Sequence, residues 1–424
     1  MAKKYKIDVT LLAKLVGIAS GILFLPIEIK VGFVLRPFDF LFVLCVFIAS
    51  IFFNKKSLLK SFFSNKLNLI YIILALYVTF NGLVLNPSSF GKEFFQQVEF
   101  IIFLYLIYGI FHSPKARAVF LKFFYWTVVL IIAYTVLWHI GNGRIVGYKA
   151  LNEPKYLFGV VTLLLFVKNF YYSKYTSAFY VSLIFLIFSL ERKCWFAFLF
   201  GVLGITYFLF RFFGYKFKVM RMYSVLTVVG LSLGTLVVGG AFAGSEILVD
   251  QFGDTVTAFS KFSLEDRETE EVGSQSNAAR MYLFAFSFQN IKENPIFGIG
   301  TDKFKEENEK VAFKLGEKKA HGSHNEYMRI AVENGLPALF MYVLLWIIAF
   351  QRAKKINIRR RKSTKAQQVE LLTILGLLFY GAIINIFLGG GATNKFFLAL
   401  PLGMITGYQY GDYLIYRQIN EKTK

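Results

Sequence analysis

Cysteine is nearly missing from this chain of 424 residues. The two present, Cys45 and Cys194, both fall inside apolar runs, so neither a disulfide framework nor a cysteine metal site is indicated. Acids are scarce too: 26 Asp and Glu stand against 48 Lys and Arg, and all charged residues together make up 17%. No Asp-x-Asp pair occurs, which disfavours soluble chemistry on a metal-held nucleotide sugar. No internal repeat is visible, and neither end carries a polar stretch that reads as a soluble domain. What the chain has in excess is apolar surface, at 56% hydrophobic residues including 50 Phe. That is more than one soluble core can enclose, so the surface must face lipid.

Apolar runs of about 17–25 residues, long enough to cross a hydrocarbon core, recur from end to end. They predict an all-α polytopic membrane protein of about 12 transmembrane helices. The spans are placed near Thr10–Ile29, Phe38–Phe53, Leu67–Leu85, Glu93–Ile110, Phe120–Ile140, Tyr156–Tyr171, Ser177–Leu190, Trp195–Phe210, Met222–Phe242, Glu326–Phe350, Glu370–Phe387 and Lys395–Leu414. The first is too long, and lacks the small-residue cleavage site, to be a removed signal peptide, so it reads as a retained anchor.

The net charge of +22 matters through its distribution. Basic clusters occupy the N-terminus (Lys3, Lys4, Lys6), then Lys55–Lys66, Lys115–Arg117, Arg211–Arg221, Arg352–Lys365 and the tail from Arg417. With twelve spans they all fall on one side, which the positive-inside rule makes cytoplasmic, together with both termini. The run Arg359–Lys362 is then a topology signal rather than a nucleic-acid patch, and no nucleic-acid partner is expected. The chain divides into helices 1–9 over 1–243, one long external (periplasmic) loop over 244–325, and helices 10–12 with a cytoplasmic tail over 326–424.

Long loops usually carry function. This one opens with an acid-rich stretch, Gly244–Gly273. Ser276-Asn277 then offers helix-capping side chains ahead of an aromatic helix that holds Arg280 in its first turns. The stretch Asn294-Pro295-Ile-Phe-Gly298-Ile-Gly300 reads as a turn, followed by a charged helix-like piece over Asp302–Lys319. Ser323-His324-Asn325-Glu326 has the S-x-x-E form of a capping box, making His324 the first helical residue, where the macrodipole favours a neutral, proton-accepting ring. Arg329, three residues after Glu326 and four before Glu333, predicts an ion ladder on one helix face. His321 and His324 form an H-x-x-H pair, but two such ligands without a third make no metal site. Glu99, beside Gln96 and Gln97 in the outer part of a span, is a secondary candidate because acids there are costly. Gly389-Gly390-Gly391 reads as a tight external turn.

The run Ala-His-Gly-Ser-His324-Asn325-Glu-Tyr327-Met-Arg-Ile-Ala-Val-Glu-Asn-Gly resembles the His-Asn-x-Tyr/Phe-Leu entrance and Glu-x-Gly of the O-antigen ligase and polymerase superfamily. Arg280 with the Pro-x-x-Gly-x-Gly of 295–300 resembles a second, upstream motif of the same family. The similarity covers roughly Leu183 to Phe350. It implies about twelve spans, one long external loop, and metal-independent glycan transfer from an undecaprenyl-diphosphate donor to a glycolipid or glycan acceptor, with no cofactor. It implies His324 as general base and Arg280 and Arg192 as diphosphate ligands, with Asn325 and Tyr327 as secondary positions. Glu191, next to Arg192, departs from the small residue usual there and could neutralise its neighbour. The chemistry is coherent: arginine stays charged and grips phosphate bidentately, and a neutral imidazole can take the acceptor's proton.

Within the resemblance, ligation to lipid A-core and polymerisation of repeat units compete. The single dominant loop favours the ligase, by fold-level analogy. A glycan transporter would place ionisable groups near the midplane and show related halves, and neither is apparent.

Overall fold

A computed structural model describes residues 9–25, 29–30, 34–35, 37–52, 55–142, 154–189, 191–215, 275–308, 325–359, 364–389 and 391–422. Apart from one antiparallel ladder of two-residue strands, β1 (Ile29–Lys30) and β2 (Val34–Leu35), the described fold is helical. The helices are α1 (Val9–Ile22), α2 (Pro37–Phe52), α3 (Lys55–Ser64), α4 (Lys66–Leu85), α5 (Pro87–Phe111), α6 (Pro114–Gly141), α7 (Leu157–Tyr171), α8 (Thr176–Phe188), α9 (Arg192–Arg211), α10 (Gln275–Glu293), α11 (Glu326–Arg359), α12 (Lys365–Phe387) and α13 (Ala392–Lys422).

Six candidate membrane spans stand out among the described residues: Lys66–Leu85, Pro87–Phe111, Pro114–Gly141, Lys193–Arg211, Glu326–Ile358 and Lys365–Phe387. Four of the expected spans are shorter apolar helices, Val9–Ile22, Pro37–Ser50, Leu157–Tyr171 and Ser173–Phe188, below the roughly 20 residues a full crossing needs. The expected span Met222–Phe242 lies outside the described residues. Large apolar side chains such as Phe40, Phe47, Leu76, Phe80, Leu130 and Phe340 project from the helices, as lipid-facing surfaces require.

Polar punctuation between the apolar runs is capping chemistry. The Asn65 side chain accepts from Leu67 N at 3.1 Å to start α4, and Ser113 with Pro114 starts α6. Thr364 and Gln367 form a reciprocal capping box on α12. One expected basic loop is instead the short helix α3. Leu58 and Phe62, four residues apart, are buried and Phe62 stacks on Tyr105, while Lys56 and Lys60 face outward.

Of the six candidate spans α12 is the most enclosed, packing against α7, α9, α11 and α13. Helices α5 and α13 approach closely at Gly403, Gly407 and Gly411. A Cβ on Gly407 would fall 2.4 Å from the Tyr108 carbonyl oxygen, so the small-residue spacing lets backbones touch.

Long-range bonds fix which segments share an end of the bundle. Arg352 donates to Asn65 Oδ1 at 2.6 Å, Arg117 Nε to Glu370 Oε2 at 2.8 Å, and the Tyr171 and Tyr215 hydroxyls both reach Gln368 Oε1. The start of α4, the start of α6, the end of α9, the end of α11 and the start of α12 therefore lie together. At the opposite end are the start of α5, the segment 294–304, the start of α11 and the start of α13.

Candidate active site

Two motifs far apart in sequence meet as backbone. After α10 ends at Glu293, the chain turns through Asn294–Gly300 and lies against α11. Ile299 N donates to Val332 O at 2.9 Å, Gly300 N to Glu333 O at 3.0 Å, and Leu336 N to Pro295 O at 2.7 Å. To accept this strap α11 breaks. Gly335 sits at φ 79°, ψ 174°, ahead of Pro337, so the expected single span from Glu326 is a short helix joined at a kink to a long one. A Cβ on Gly335 would lie 2.0 Å from Ile296 O, and one on Gly298 (φ 68°) 2.4 Å from Val332 O. Each glycine is required twice, by its dihedral and by its neighbour.

Side chains of α4 close the junction. Asn81 Nδ2 donates to Phe297 O at 2.7 Å, to Glu333 O at 3.0 Å and to Asn334 Oδ1 at 3.1 Å, and the Tyr77 hydroxyl donates to Ile296 O at 2.8 Å. Thr301 Oγ1 donates to Asn334 Oδ1 at 2.7 Å. Ile296 and Phe297 themselves point outward, 57% and 58% exposed. Beneath the strap, Leu283 of α10, Phe304 and Val332 form a second small apolar core, so α10 packs on α11.

On the other face of the short helix is a buried network of charges. Arg329 donates to Glu326 through Nε (2.9 Å) and a terminal nitrogen (2.7 Å), and with its other terminal nitrogen to Glu333, as the ion ladder predicts. Glu333 also accepts from Phe304 N at 3.3 Å. Asn394 donates to Glu326 at 3.2 Å. Lys395, at the start of α13, donates to Glu93 at 2.7 Å and Gln96 at 2.9 Å, while Gln97 donates to the same Glu93 oxygen at 2.6 Å. A cleft of about 210 Å³ opens over this layer, and a cavity of about 40 Å³, lined by Tyr71, Asn334 and Tyr342 among others, lies against it.

The predicted site residues divide. His324 and His321 lie outside the described residues. The backbones of Arg280, on α10, and Arg192, the first residue of α9, are described, but their side chains are not. Glu191, expected to neutralise Arg192, pairs with Lys155 at 3.1 Å. The Ser323 and His324 of the expected capping box lie outside the described residues; α11 starts at Glu326, and the Asn325 side chain accepts from Met328 N at 3.1 Å. Glu326 is engaged by Arg329, which offers its carboxylate a full charge. Tyr327 turns into the bundle, donating to Ala382 O at 3.0 Å and stacking edge-on with Tyr342. Glu99 is on α5 but six residues from Glu93, which turns it roughly 120° away from the network.

Glu93 and Lys395, the centre of the network, escape sequence reasoning except as span ends. Their signal is that opposite charges lie at the same end of two apolar runs, where an unpaired charge is expensive. The segment at Gly389 and Gly391 (φ 94°) joins α12 to α13 and lines the cleft.

Among known proteins, a family model described as O-antigen ligase matches residues 177–343, the segment that contains α10, the strap and the start of α11. No curated protein matches the chain.

Proposed function

We propose that this chain, whose segment 177–343 belongs to the O-antigen ligase and polymerase superfamily, transfers a glycan from undecaprenyl diphosphate to an acceptor hydroxyl at the outer face of the bacterial inner membrane. The observation that carries the proposal is the strap. The two motifs of the resemblance are joined backbone to backbone at the end of the bundle opposite the basic segments. By the positive-inside rule the basic end is cytoplasmic, with both termini, and the strap faces the periplasm, where a polyprenyl carrier presents its sugar.

In this reading His324, one residue before the Asn325 cap, is the general base that takes the proton of the acceptor hydroxyl. Such a base contributes about 10²–10⁴-fold. Arg280 and Arg192 hold the diphosphate and neutralise the charge that develops as it leaves. The hydroxyl oxygen attacks the anomeric carbon, the bond to the diphosphate oxygen breaks, and the proton passes to the imidazole. The acceptor is lipid A-core in the ligase reading, favoured by the single long loop between the basic-flanked spans.

The test is reconstitution of the full chain with an undecaprenyl-diphosphate glycan, with and without lipid A-core, read on a gel. Capping of core supports ligation, and a lengthening ladder from donor alone supports repeat-unit polymerisation. His324→Ala abolishes product while the protein still inserts; full activity in that variant removes the mechanism.

A further inference from the structure

We infer that the cleft walled by Lys92, Glu93, Gln96, Asp302, Glu333 and Lys395 is a subsite for one neutral sugar residue, an inference that rests on the glycan-transfer reading. Its volume of about 210 Å³ leaves room for a sugar ring.

Charge balance selects the ligand class. Four cations line the cleft, Lys92, Lys305, Arg329 and Lys395. Against them stand the carboxylates of Glu93, Asp302 and Glu333, and Glu326 pairs with Arg329 from behind, which makes four. Three of the cations are committed: Lys92 to Asp302 at 2.6 Å, Lys395 to Glu93 at 2.7 Å, and Arg329 to Glu326 and Glu333. A phosphate would have to displace carboxylates from these pairs and meet the ones left behind. A sugar hydroxyl needs no such exchange, because it both donates and accepts. The walls offer both roles side by side. The Lys395 ammonium has three N–H groups, of which Glu93 and Gln96 take two. Glu93 receives both Lys395 and Gln97 on Oε1, so Oε2 carries neither bond.

The polar lining continues inward. Asn334 is fully buried and lines the adjoining small cavity. Its Oδ1 is occupied by Asn81 and Thr301, while its Nδ2 has no hydrogen-bond partner among the described residues. The location suits an acceptor or donor sugar. Arg329 is four residues along α11 from the Asn325 cap, roughly 6 Å of helix rise, so a ring in the cleft brings its hydroxyls to the helix entrance that residue 324 precedes.

Saturation-transfer NMR on the full chain in nanodiscs tests this, with methyl α-glucopyranoside, methyl α-galactopyranoside and methyl α-mannopyranoside as probes and inorganic pyrophosphate as competitor. At least one glycoside should show transfer that pyrophosphate leaves in place. Glu93→Gln, nearly isosteric, and Lys92→Ala, at the exposed rim where folding is not at stake, should each weaken it about fivefold, the loss of one hydrogen bond. Silence from all three glycosides, displacement by pyrophosphate, or full signal in Lys92→Ala overturns the subsite. Binding that survives in His324→Ala reports on the cleft alone, so failure of the subsite and failure of the transfer chemistry are read separately.

Discussion

Replacing Arg329 by Met removes the one side chain that bridges two carboxylates beneath the cleft. In the native network three acids, Glu93, Glu326 and Glu333, face two cations, Arg329 and Lys395. In the variant three acids face one. All of these groups are largely buried, the Arg329 side chain at 13% exposure and the Glu326 and Glu333 side chains at 4% and 3%. Removing one partner of a buried pair typically costs about 3–5 kcal/mol, because the desolvated charge left behind has no answer. With an unfolding entropy near 2.1 cal/mol/K per residue, a chain of 424 residues converts this to a fall of roughly 3–6 °C in the melting midpoint. Fluorescence-detected size exclusion after heating in detergent measures it. Arg329→Lys should fall between wild type and Arg329→Met, because an ammonium keeps the charge but cannot fork across both partners. Adding Glu333→Gln to Arg329→Met should recover roughly half the loss by removing one orphan charge. If Arg329→Met melts within a degree of wild type, or the double variant is no better than the single, the electrostatic account of this layer is wrong.

Three further outcomes are expected. Gly335→Ala, forced to a positive φ with its Cβ on the Ile296 carbonyl, should strain the strap by about 1–3 kcal/mol or more and reduce glycan transfer at least tenfold in the gel assay; wild-type activity would show that the break in α11 is not needed. Gly407→Ala should already lower folded yield on size exclusion, and Gly407→Leu lower it further, because even a Cβ falls 2.4 Å from the Tyr108 carbonyl oxygen. Single cysteines introduced at 325 and 360 into a Cys45→Ala/Cys194→Ala background should react with an impermeant maleimide from outside only at 325; the reverse pattern inverts the proposed topology.

The helices were legible because lipid imposes a blunt rule, about 20 apolar residues per crossing, and the caps at Asn65, Ser113 and Thr364 fall where polar residues interrupt the runs. Of the basic segments expected to share one end, those at Arg352 and Asn65 and at Arg117 and the start of α12 are joined by side-chain bonds. The ladder at Arg329 follows from helical spacing alone. At the start of α11 the Asn325 side chain caps and Glu326 finds an arginine one turn on, while the Ser323 and His324 of the expected capping box lie outside the described residues. The pairing of Glu93 with Lys395 joins positions 302 apart, and no local pattern encodes which charged span ends become neighbours. The kink at Gly335 was visible only as a Gly-x-Pro sequence, because its cause is the strap, a tertiary partner.

The strap has a consequence for depth. Its bonds to α11 use backbone, which leaves Ile296 and Phe297 to point away from the protein. An apolar aliphatic and an aromatic side chain projecting from the rim of a membrane protein settle at the level where acyl chains meet headgroups. The seven residues of the strap, which hold the broken helix in shape, therefore also act as its waterline and set the depth of the cleft against the leaflet. Replacing Ile296 and Phe297 by serine would leave every hydrogen bond of the junction in place and free it to ride at the wrong height.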